Sequence, residues 1–92
     1  MVRTFYTVPF YGRLRQIWRI SGIGGMNRFT KVVASITELG AAPGGPPEYP
    51  LLGDATLSVF NVSPNDNGSV YIRTWVDWGT PLPFRLTLFV DP

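Results

Sequence analysis

The 92-residue chain has no cysteine and no histidine. The first absence excludes disulfides and thiolate metal sites; the second removes the side chain that most often serves as general base near neutral pH. Any metal would have to rest on oxygen ligands alone. Charge is also scarce, 15% of residues against 45% hydrophobic. A chain this short hides only about two-thirds of its unfolded surface. Three Trp, four Tyr and six Phe add a large apolar area, and the simplest account is that part of it meets another chain. No apolar run approaches the roughly 20 residues of a membrane-spanning helix. The start of the sequence lacks the basic, then apolar, then small pattern of a secretion signal. The expected setting is the cytosol or an assembly.

Acid–base chemistry has little to work with. Glu38, Glu48, Asp54, Asp66, Asp77 and Asp91 are scattered, and no local spacing pairs two of them. Gly22-Ile23-Gly24-Gly25 lacks the strand, helix and downstream acid of a dinucleotide site. Ser63-Pro64-Asn65-Asp66-Asn67-Gly68 echoes a calcium loop but begins with Ser and offers Thr74 where a bidentate Glu belongs. The expectation is a non-enzyme with no catalytic, metal or cofactor residues.

Net charge is +2, unevenly spread. Arg3, Arg13, Arg15, Arg19, Arg28 and Lys31 all precede the first acid, and residues 38–92 balance at −4. A basic half can face nucleic acid or an acidic partner, or be a solvated face. Seven of the eight cations are Arg, which suits bidentate or stacked contacts.

Alternation points to β-structure. Val70, Ile72, Thr74, Val76 and Trp78 share one parity, with Tyr71, Arg73, Trp75 and Asp77 opposite. Phe84, Leu86, Leu88 and Val90 repeat the pattern, and residues 56–62 form another β-rich run. The turn formers of residues 63–69 separate the first two runs. Asn67-Gly68-Ser69, formally a glycosylation sequon, reads as part of that turn. Upstream, Tyr6, Val8 and Phe10 fall on one face of an edge strand limited by Pro9. Residues 13–20 place Leu14, Trp18 and Ile20 opposite Arg13, Arg15 and Arg19, a half-buried strand with a short helix as competitor. Residues 21–25 read as a flexible connection. The β-branched Val32, Val33, Ile36 and Thr37 favour strand over helix for residues 29–39.

Residues 40–54 form a Gly/Pro-rich loop. Pro46-Pro47-Glu48-Tyr49 fits a WW-domain ligand, and Tyr49-Pro50-Leu51-Leu52 fits a sorting-factor ligand. Phe10, Tyr11, Arg13, Arg15, Trp18 and Arg19 could stack single-stranded nucleic acid, but a strand with one buried aromatic face and one polar face is the favoured reading, since alternation already explains their placement.

Three segments, taken in order, resemble the C-terminal part of a picornavirus-like capsid protein. Thr7-Val8-Pro9-Phe10-Tyr11-Gly12 resembles the motif after strand G of the eight-stranded jelly roll. Leu52 to Val62 resembles the entry to strand H together with that strand. Val70 to Val76, followed by Pro83-Phe84-Arg85-Leu86, resembles strand I and its exit. The resemblance implies an all-β chain, one unit over 1–92, forming part of an antiparallel jelly-roll β-sandwich completed by another chain. Residues 13–51 would be the long G–H connection. Strands H and I lie in opposite sheets of that fold, so both would take their partners from elsewhere, whereas a local reading makes 56–62 and 70–78 a hairpin.

Under the resemblance the protein is a structural virion-shell fragment. It would assemble with other capsid chains, homo- and hetero-oligomeric, in host cytoplasm and virion. Its candidate RNA- or partner-facing residues are Arg3, Arg13, Arg15, Arg19, Arg28 and Lys31. Its candidate contact loop is Pro46, Pro47, Tyr49, Pro50, Leu51 and Leu52. Leu57, Val59, Phe60, Val70, Ile72, Trp75, Val76, Trp78 and Phe84 are its expected inter-chain strand and packing residues. Two alternatives stand beside it. One is a small β-barrel binding single-stranded nucleic acid through residues 10–19, the other an adaptor recruited through the Pro-rich loop.

Overall fold

Alternating apolar residues build eight strands, which the computed structural model describes over residues 2–7, 9–40 and 49–91. They are β1 Arg3–Tyr6, β2 Phe10–Gly12, β3 Leu14–Ile20, β4 Lys31–Gly40, β5 Tyr49–Pro50, β6 Thr56–Pro64, β7 Val70–Asp77 and β8 Leu82–Asp91. All pairings are antiparallel. One sheet has the order β1-β8-β4-β5, with β2 following β1 along the same side of β8; the other is β3-β7-β6. The all-β expectation holds, and residues 14–20 and 31–40 are strands, not helices.

The core lies between the two central strands. Val70, Ile72, Thr74 and Val76 of β7 and Phe84, Leu86, Leu88 and Val90 of β8 are all fully buried. Ala34, Ile36, Leu57, Val59 and Val62 pack around them from flanking strands. Trp18 closes one end. Its ring stacks on Phe10 at 4.7 Å and meets Phe84 edge-on at 5.4 Å, while its indole N–H donates to the Thr74 hydroxyl at 2.8 Å. That bond satisfies a buried polar atom which would otherwise be expensive.

The chain crosses between sheets twice at one corner. The β2–β3 crossing passes through Leu14 at φ 55°, a left-handed conformation that costs a non-glycine residue roughly 1–2 kcal/mol. The Arg13 amide donates to Gln16 Oε1 at 3.0 Å, and the Arg13 guanidinium donates to the Gly79 carbonyl of the β7–β8 crossing at 3.3 Å.

Several expectations are corrected. β6 pairs with β7 from Thr56↔Asp77 to Pro64↔Val70, with a bulge between Val59 and Asn61. The segments likened to strands H and I are thus one hairpin within one sheet, as the local reading has it, and not members of opposite sheets. The physical reason is local. Closing a short turn has a small entropic cost, and the turn is well bonded. Asn65 N–H donates to Ser69 O at 2.9 Å, Ser69 N–H donates to Asn67 Oδ1 at 3.2 Å, and Gly68 supplies φ 77°.

Residues 13–51 are likewise no mere connection, since they contain β3, β4 and β5. Val70, Ile72, Val76 and Phe84 pack inside their own chain, not between chains. Trp78, expected on the inward parity with Val76, lies exposed because β7 ends at Asp77. Tyr6 faces solvent while Phe10 packs on the core, because β1 and β2 are separate strands; Val8 lies outside the described residues. The 21–25 connection is anchored. Ile23 is buried, and its N–H donates to Gly68 O at 3.0 Å.

Gly12 tests the corner. A Cβ there would strike Gln16 Oε1 and stand 3.0 Å from both the Phe84 and Trp18 rings. Gly12→Ala is expected to destabilise the chain by about 1–3 kcal/mol, read as a melting midpoint lower by roughly 4–8 °C per kcal/mol. An unchanged midpoint would contradict this packing.

Candidate functional site

Because inward parity is taken by the core, the opposite parity sets what each sheet shows to solvent. On β3-β7-β6 the register stacks three rows across the outer face. They are Arg15–Trp75–Ser58, Ile17–Arg73–Asn61 and Arg19–Tyr71–Ser63. The bulge in β6 adds the exposed Phe60 to this face. Arg73 is half-buried at the centre, with its guanidinium donating to Asn61 Oδ1 at 3.1 Å. Shallow depressions flank it, one lined by Arg15, Phe60, Asn61, Arg73 and Trp75, the other by Ile17, Asn61, Ser63, Tyr71 and Arg73.

The outer face of the larger sheet is different. Val33 sits across from Phe89, itself across from Thr4. Arg85 lies 5.5 Å over the Tyr6 ring. Beside this sheet, β5 leads to Leu51 and Leu52, which line a groove with Ile36, Thr37, Glu38, Ala55 and Leu57.

The six cations of the N-terminal half do not form one patch. Arg15 and Arg19 share the three-stranded face. Arg3 instead donates to Gly24 O at 2.7 Å and lies over Phe5, and Arg13 is held at the corner. Lys31 is on β4 opposite Asp91. Arg28 grips Asp66, through Nη2 to Oδ2 at 2.7 Å and its own N–H to Oδ1 at 2.8 Å. These bonds hold the Asp66 carboxyl below its ordinary range and raise the Arg28 guanidinium.

Of the aromatic residues within 10–19, Phe10 and Trp18 point into the core and offer no stacking surface, while Tyr11 is exposed. Tyr49 and Pro50 are paired with Gly40 and Leu39, so their backbone is already engaged; Pro46, Pro47 and Glu48 lie outside the described residues. Leu57 and Val59 are half-buried against the core, whereas Phe60 and Trp78 are exposed. The sequence did place Tyr71, Arg73 and Trp75 on one parity; what it lacked was β3 as the neighbour that sets Arg15 and Arg19 beside them.

Comparison with known proteins finds no matching family model, no matching curated protein and no matching solved structure.

The Arg28–Asp66 pair ties residues 23–28 to the hairpin turn, and its pH dependence has a definite sign. The folded Asp66 carboxyl titrates below its unfolded value of 3.8. Its contribution is therefore present above that value and is lost as pH falls through the lower folded one. The pair is exposed, so the effect is small. Asp66→Asn is expected to lower stability slightly at neutral pH, with the difference vanishing in strong acid. Denaturant melts across pH check it, and a gap that widens on acidification would contradict the assignment.

Proposed function

We propose that the chain is a structural shell component of the capsid kind, acting by assembly with other chains and not by catalysis. One observation carries this reading: apolar surface remains after the chain's own core is filled. Leu52 is 99% exposed, Phe29 84% and Val33 65%. Exposed apolar groups of this size usually mark contact surfaces when they gather, and Val33 and Phe89 lie across from each other on one sheet face. The outer sides of β1 and β3 carry no ladder among the described residues, which leaves main-chain groups open to an added strand.

The capsid likeness of residues 7–12, 52–62, 70–76 and 83–86 supports the reading, but the β6–β7 hairpin changes its form. Neighbours would add at edges and faces of a chain that has its own core, instead of supplying strands it lacks. Host cytoplasm and virion are the settings this proposal implies.

Sedimentation velocity on the purified chain, alone and with companion polypeptides that copurify, tests the proposal. Association that grows with concentration is expected. Val33→Lys and Leu52→Asp should each weaken it about tenfold or more, about 1.4 kcal/mol, with the thermal midpoint unchanged because neither side chain is in the core. A chain that stays monomeric throughout and brings no companion would contradict the reading.

A further inference from the structure

We infer that the outer face of β3-β7-β6 is a binding surface for single-stranded nucleic acid. Its three strands hold Arg15, Arg19 and Arg73 against one acid, Asp77 at the end of β7. Among the described residues neither Arg15 nor Arg19 forms an ion pair. A solvated sheet face usually mixes signs and favours small polar residues, whereas this one concentrates one sign. The matching ligand is a polyanion.

The aromatic residues narrow the class of polyanion. Trp75 lies directly across from Arg15, and Tyr71 directly across from Arg19. Each ring thus has a guanidinium beside it on the neighbouring strand. Successive rows on one face are about 6.8 Å apart, so ring and cation recur together along the strand direction. Phosphates would meet Arg15 and Arg19, while unstacked bases lie on Trp75, Tyr71 and the exposed Phe60. Arg73, half-buried and steadied by Asn61, adds its positive charge at the centre of the face. An acidic protein would satisfy the cations but has no need of the rings. A duplex hides the base faces that the rings would stack on.

Fluorescence anisotropy of a labelled oligo-uridine or oligo-thymidine, titrated with the full chain over a range of salt, tests the inference. Binding is expected, weaker for the same sequence as duplex. The slope of log affinity against log salt should fall by about 0.7 for each of Arg15→Gln and Arg19→Gln. Lys31→Gln, which removes equal charge from the other sheet, should leave the slope unchanged. Trp75→Ala should weaken binding about tenfold without changing the slope. Trp75→Phe keeps an aromatic face and should restore most of it. The inference is overturned by absence of binding, by equal slope changes in Lys31→Gln, or by polyglutamate competing as well as the oligonucleotide.

Discussion

The rest of the molecule depends on two buried rows held face to face, Val70-Ile72-Thr74-Val76 of β7 and Phe84-Leu86-Leu88-Val90 of β8. Each central strand is flanked on both sides within its own sheet, β7 by β3 and β6, β8 by β4 and by β1 with β2. Once those rows are inside, a slip of one residue in either strand would turn its whole apolar set outward. Register is therefore strongly determined. The arginines and rings on the solvent face of β7 are placed as a consequence of the core.

Two local devices keep the sheets facing each other. At one end the Phe10–Trp18–Phe84 cluster fills the corner where both crossings occur, and Gly12 leaves room for it. Toward the hairpin turn, Ile23 and Met26 are buried in the core while Arg28 holds Asp66. Gly68 suits that turn twice over. Its φ of 77° favours glycine, and a Cβ would come within 2.8 Å of the Ile23 carbonyl oxygen. A chain without disulfides thus fastens its longest described loop through burial and main-chain bonds.

Much of this was legible from period-two alternation. The parity of β7 and β8 and the outward Arg15 and Arg19 follow from residue order, while the strand expected over 29–39 rests on β-branching and the turn at 63–69 on its turn formers. Pairing was legible only locally, in the hairpin reading of 56–62 and 70–78 that the structure bears out. Parity says which side a residue faces, but not which strand lies next to it. The likeness to capsid strands therefore suggested opposite sheets for two segments that the short turn joins directly. Ile17, which spoils the alternation of β3, is outward among the arginines, and no sequence pattern explains its exposure. Alternation already favoured a buried face for Phe10 and Trp18, and the core packing agrees with it, but residue types alone kept the stacking alternative open. Aromatic residues beside arginines look alike whether a strand turns them to solvent or to the core, and the bond from Trp18 to Thr74 appears only once β3 lies against β7.

The central claim is that residues 56–64 and 70–77 are neighbours in one sheet and that β7 is interior to it. Solution NMR of the chain tests this most directly. The account predicts cross-strand contacts between Val62 and Ile72 and between Leu57 and Val76, with β7 amides exchanging far more slowly than those of β3. Missing contacts between the two segments, or β7 amides exchanging as fast as those at the sheet edge, would contradict it.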